Sequence, residues 1–302
     1  DPLQALHSIS LIDDPETRVS VTASIIAAWV KTDPNKALSA ARSLQDEKMR
    51  RRSLLDAYAN WIQKDLKSGI TAIENDPEPS VRQAALKNAM IAWFLKEPFA
   101  AANYVTLRGD PTLIPGTSGQ SFADKATPQE VERLLTLLPE SKEKDDFTRN
   151  IAKTEIRRGN YPRAVDLLNK TADSILRDAQ INSLGHTWSK EKPQTLEPWL
   201  RRQPESPDRD LVTLGMVTQL ARDNPRAALR WLSFITDPTA RLAATKNVAH
   251  HWLNLEPGAG QVWVTQGSGL SPTHQSKVLE NSSKPYMDYT YDDHLSTRWP
   301  LK

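Results

Sequence analysis

The sequence predicts an all-α fold, an α-solenoid of about eight two-helix repeats, and three observations predict it. The phrase WVKTDPNKAL at Trp29 returns as WIQKDLKSGI at Trp61, WFLKEPFAAA at Trp93, WSKEKPQTLE at Trp188 and WLNLEPGAGQ at Trp252. LARDNPRAAL at Leu220 keeps the pattern without the tryptophan. Single residues recur at a spacing of 32: Arg18, Arg50 and Arg82; Arg177, Arg209 and Arg241; Trp29, Trp61 and Trp93; Pro193, Pro225 and Pro257. Between the phrases stand residues that stop one helix and start the next. Self-similarity at such a period marks stacked units, each covering the apolar face of its neighbour.

Within one unit the arginine precedes the tryptophan by 11 residues (18 to 29), about three helical turns, so both lie near one face of a first helix, A. Val21, Ile25 and Trp29 share that face, and the small pair Ser24 and Ala28 admits a close neighbour. Asp33 then caps a second helix, B. Pro34 follows at its first position, where a missing amide costs nothing. Helix B carries Ala37, Leu38 and Leu44, and the exit and restart recur at EKP, DNP and LEP. An acidic or turn residue precedes most of the arginines, as in DDPETR, DEKMR and DPTAR, where a carboxylate meets the positive end of the helix.

These units divide the chain. Residues 1–107 are N-terminal helical repeats, and 108–126, RGDPTLIPGTSGQSFADKA, form an irregular loop or a degraded repeat, with GTSGQS from Gly116 read as a flexible loop. Residues 127–266 continue the same solenoid, because Arg82 to Arg177 is 95 residues, one short of three periods. Thr127 caps a helix there, and Gly159 and Pro162 mark a turn. Residues 267–302 are a capping helix after Ser271 and an irregular tail.

The side-chain balance of 39 basic to 37 acidic leaves a net charge of +2, which disfavours a nucleic-acid backbone as partner. The absence of cysteine excludes disulfides, thiol catalysis and thiolate metal sites. No apolar run reaches the roughly 20 residues of a membrane span. The chain opens at Asp1 without methionine, which points to a processed or trimmed N-terminus.

The periodic tryptophans Trp29, Trp61, Trp93, Trp188 and Trp252 belong to the packed repeat positions. A second comb, Trp199, Trp231 and Trp263, with Tyr104 in register, either lines a concave aromatic ladder for a partner or fills a wider core. The arginine comb either satisfies caps and carbonyls at the joints between units or forms an anion-binding row; its phase with the tryptophans favours the joints. GTSGQS at Gly116 lacks the lysine of a phosphate loop and the strand of a serine nucleophile elbow. Asp288, Asp292, Asp293 and His294 fit no calcium loop, and His250 and His251 have no HExxH context. Sequons stand at Asn169 and Asn281. No catalytic residue, metal or cofactor is expected.

At these combs the chain resembles the tetratricopeptide-like helical repeat superfamily, in particular divergent bacterial repeats written as tryptophan, four mostly polar positions, proline, then alanine and leucine. The resemblance covers about residues 14 to 265 apart from the loop. It implies a right-handed superhelix with the A helices on the concave side and a scaffold role for a protein or peptide segment. The chain departs from the family pattern in its period and in lacking the glycine and tyrosine expected within helix A. HEAT-like stacking is the structural alternative. The other function classes are a cell-wall or glycan-associated helical enzyme or its accessory domain, and HEAT-like nucleic-acid binding. A bacterial periplasmic or secreted setting is favoured over a cytoplasmic one.

Overall fold

A computed structural model describes residues 1–281, all helix and turn, with no strand among the described residues. The chain forms two compact units, Asp1–Asn150 and Ile151–Lys302. The first holds α1 (Pro2–Ser8), α2 (Pro15–Trp29), α3 (Pro34–Arg42), α4 (Glu47–Lys64), α5 (Leu66–Glu74), α6 (Pro79–Lys96), α7 (Pro98–Arg108), α8 (Ser118–Ala123) and α9 (Pro128–Leu137). The boundary falls within α10 (Lys142–Arg158). The second unit holds α11 (Tyr161–Leu168), α12 (Ser174–Glu191), α13 (Pro193–Arg202), α14 (Pro207–Asp223), α15 (Pro225–Leu232), α16 (Pro238–Leu255), α17 (Pro257–Gln266) and α18 (Pro272–Asn281).

Long helices stack on long helices: α2 on α4 and α4 on α6 in the first unit, α12 on α14 and α14 on α16 in the second. A short helix wedges between consecutive long ones, α3 between α2 and α4, α5 between α4 and α6, α15 between α14 and α16. This pairwise packing is what a stacked helical arrangement requires. The helix starts follow from local chemistry. Asp14, Asp33, Asp46, Asp65, Asp173 and Asp237 each accept an amide of the first turn through the side chain, at 2.7 to 3.0 Å. Thr127 and Glu130 form a reciprocal capping box.

Four of the six periodic arginines perform one structural task. Arg18, Arg50, Arg82 and Arg241 donate to the carbonyls of Ile12, Leu44, Asp76 and Ile235, each six residues upstream in the turn that leads into the arginine's own helix. A guanidinium thereby satisfies a turn carbonyl that has no helical partner. Arg209 instead reaches the carbonyl of Phe234, and Arg177 holds the carboxylate of Asp178.

In the first unit Ile26, Leu54, Tyr58, Ile73, Met90 and Phe94 are fully buried, and a polar cluster sits among them. Asp76, whose side chain is 1% exposed, accepts from Tyr58 Oη at 2.5 Å, Arg42 Nη2 at 2.9 Å and the Glu78 amide at 2.9 Å. Burial pushes the Asp76 carboxyl up, but the hydrogen bonds from Tyr58 and Arg42 outweigh it and hold it below the usual carboxylate range. A depressed folded-state pKa contributes stability that is complete above the unfolded value near pH 3.9 and is lost as the pH falls through the folded value. Asp76→Asn should therefore cost about 2 kcal/mol at neutral pH, the worth of hydrogen bonds to a charged group. The loss should shrink toward zero in acid, read by urea unfolding across pH.

Two sequence expectations change. GTSGQS is not a flexible loop: the Arg108–Ala126 segment forms a 3-10 turn at Pro111–Leu113 and the helix α8, and it buries Leu113, Ile114 and Phe122. A Cβ on Gly119 would stand 2.2 Å from the Phe147 carbonyl oxygen, so the GTSGQS glycine serves close packing on α10. Nor do the long helices lack internal glycine. Gly185 lies in α12 and Gly215 in α14, where the two backbones meet: a Cβ on Gly215 would come within 2.1 Å of the Asn182 carbonyl oxygen, and one on Gly185 within 2.3 Å of that of Val212. Tyr58 likewise stands inside α4.

Candidate functional site

The two aromatic combs fold onto each other. Trp93 meets Tyr104 at 4.9 Å between ring centroids, Trp188 meets Trp199 at 5.1 Å and Trp252 meets Trp263 at 5.3 Å. Each pair spans 11 residues (93 to 104, 188 to 199, 252 to 263), because the turn and the proline that opens the short helix reverse the chain between the two rings. Where the short helix carries Ala40 or Ala72 instead, Trp29 and Trp61 have no such ring partner and stay half-buried. Trp188 and Trp252 are buried, and Trp93 is half-buried.

The second comb is not equally accessible. Trp231 is 1% exposed: Phe234 lies against it at 4.8 Å, with Arg201 and Arg230 over its faces at 5.2 and 5.6 Å. It offers no open ring face. Trp199 and Trp263 are half-buried. Tyr104 is half-buried too; its hydroxyl donates to Glu74 at 2.7 Å, and burial, with that carboxylate, pushes the phenol up to about 12. Tyr161 stacks on Trp188 at 5.0 Å and 14° and donates to Glu191 at 2.5 Å; burial first, then Glu191, pushes it up to about 12.

The sequence reading missed an exposed row on the long helices of the first unit. Gln83, Lys87, Ile91 and Leu95 follow one another by four residues along α6 and all face solvent, with Ile91 44% and Leu95 40% exposed. On α4, which packs against α6, the parallel row is Arg51, half-buried Leu55, Ala59 and Gln63. Helix α6 contains no acidic residue. On α4, Arg52 is occupied by Asp56 at 2.8 Å and Lys48 by Glu16, while the exposed acids Asp65 and Glu97 directly follow Lys64 and Lys96 at the helix ends, so the cations beside the row itself are Arg51 and Lys87. Lys64 and Lys96 also donate to the carbonyls of Lys31 and Gln63, tying each long helix to the end of the previous one. The result is an apolar stripe flanked by Arg51 and Lys87. Its signal in the sequence is faint, because AMIAWFLK is apolar around most of the helix and only packing decides that Met90 and Phe94 point inward.

No group of three or more acidic or histidine side chains that could hold a metal exists among the described residues. His250 is buried, and that burial lowers its pKa, so the ring stays neutral at physiological pH. The tail residues Asp288, Asp292, Asp293 and His294 lie outside the described residues, as does the side chain of Asn281. Asn169 donates to Asp208 at 2.7 Å. No helix among the described residues is long and apolar enough to cross a membrane.

The class this architecture defines is an all-α protein of many short helices packed pairwise, consistent with a generic helical-repeat fold. No family model matches the chain, and neither the curated proteins nor the solved structures give a match.

Proposed function

We propose that the protein is an interaction scaffold of stacked 32-residue helix pairs, arranged as the tetratricopeptide-like resemblance implies, that holds a protein or peptide segment on its long-helix side. The observation that carries this reading is the exposed Lys87, Ile91 and Leu95 row on α6 beside Arg51 on α4. Large apolar side chains standing in water at helical spacing are suited to apolar anchors of a partner. The surrounding cations favour an acidic segment and predict binding that weakens with salt. Trp231, being enclosed, belongs to the fold in this reading and not to the contact.

The test is affinity capture with quantitative mass spectrometry, comparing the wild type with an Ile91→Asp, Leu95→Asp variant of unchanged circular dichroism. The captured partner's contact segment is then synthesised as a peptide. Its affinity should fall at least about ten-fold in the variant, a loss of about 1.4 kcal/mol, and fall again with Lys87→Glu. A partner held equally by wild type and both variants would remove this face from the interaction.

A further inference from the structure

A second site of different chemistry lies on the short-helix side of the other unit. An open depression of about 610 Å³ runs between α15 and α17, floored by Gly258 and Ala259, walled by Trp252 and Trp263 and rimmed by Arg226 and Gln266. Its size falls within the range of small-ligand sites. Its origin is legible once the two short helices are aligned at the 32-residue spacing: PRAALRW, from Pro225, against PGAGQVW, from Pro257. Arg226 is replaced by Gly258, and Arg230 by Val262. Arg230 covers the ring of Trp231, whereas Val262 is itself 55% exposed and Trp263 stays half-buried. Gly260 seats α17 closely on α16, where a Cβ would stand 2.8 Å from the Leu253 amide nitrogen.

We propose that this depression binds a neutral saccharide. The Trp263 indole, resting on the buried Trp252 ring at 5.3 Å and 32°, presents an apolar surface suited to the C–H face of a pyranose ring. Hydrogen-bonding groups stand beside that surface: the Arg226 guanidinium, 5.6 Å over the Trp252 ring and paired with the Glu256 carboxylate at 2.7 Å, and the Gln266 amide, which both donates and accepts. A sugar's hydroxyls need donors and acceptors together, and this rim supplies both. Charge separates the sugar from other ligands. Arg226 and Glu256 neutralise each other, so the rim has no net charge with which to hold a phosphate, a nucleic-acid backbone or an acidic peptide. The first turn of α17 presents Gly258 with nothing within 4 Å of the place a Cβ would take, which leaves room for a ring to approach the backbone.

Gly258 also supplies the cleanest test, because its Cβ position is open and Gly258→Phe places a ring into the depression from there, whereas Trp263→Ala removes a packing ring. Isothermal titration calorimetry of the full chain with cellohexaose, chitohexaose and maltohexaose should show saturable, salt-insensitive binding of at least one. Both variants should weaken it at least about ten-fold. The Ile91→Asp, Leu95→Asp variant should bind the sugar as the wild type does, so the long-helix reading and this one fail independently. Absence of heat with all three saccharides, or binding unchanged in Gly258→Phe, would overturn the proposal. Binding of a proline-rich control peptide in their place, abolished by Gly258→Phe, would overturn it too and make the depression a protein contact.

Discussion

Replacing Trp231 by alanine is expected to destabilise the second unit by about 3 to 5 kcal/mol, the range for removing a large aromatic from a packed interior. The ring is 1% exposed and sits between Arg201, Arg230 and Phe234, so its removal empties a closed space and uncovers cations whose flat faces lose their platform. One feature tempers the loss: the indole Nε1 is buried without a hydrogen-bond partner, so a polar burial cost disappears with the ring. The net effect should stay well above that of Trp199→Ala, whose ring is half-buried against Trp188. Urea unfolding followed by far-UV circular dichroism measures both. A Trp231→Ala midpoint no lower than that of Trp199→Ala would show that the enclosure contributes little.

Gly215→Leu is expected to be comparably damaging for the opposite reason. The added Cβ would meet the Asn182 carbonyl oxygen at 2.1 Å, the His186 amide nitrogen at 2.6 Å and the Gly185 carbonyl carbon at 3.0 Å. These are backbone atoms of α12, so no side chain can swing aside and the helices must part. Glycine to a good helix former gains about 1 kcal/mol of helix propensity, but overpacking of this kind costs about 3 kcal/mol or more, so the clash wins. For a unit of this size each kcal/mol lowers the melting temperature by about 2 to 4 °C. Gly258→Leu, at a helical glycine with open surroundings, is the matched control and should leave the melting temperature unchanged or slightly raised. Equal behaviour of the two variants would contradict the close approach of α12 and α14.

The aromatic combs show how far sequence periodicity reaches. Trp199, Trp231 and Trp263 occupy equivalent positions in the chain, yet one is sealed and the others are half-buried. The difference lies in residues outside the comb: Arg201 and Arg230 come over Trp231 from two different helices, whereas Val262 stands at the position equivalent to Arg230. Reading only the residues that repeat hides this, since a site arises where the repeat is broken. The Lys87, Ile91 and Leu95 row was hidden differently, by a helix whose apolar residues surround it and whose outward side only its neighbours select.

By itself the sequence determined the helical class, the positions of the turns and much of the hydrogen bonding at the joints. Capping aspartates, prolines at first helical positions and four of the six periodic arginines act within six residues of the groups they satisfy, Arg209 being an exception that reaches Phe234. Only the tertiary structure decided which tryptophan keeps an accessible face, where α12 and α14 touch through Gly185 and Gly215, and that Asp76 is held by Tyr58 and Arg42. Those outcomes depend on side chains 18 to 34 residues apart (58 to 76, 42 to 76), brought together by helix packing that leaves no local pattern in the chain.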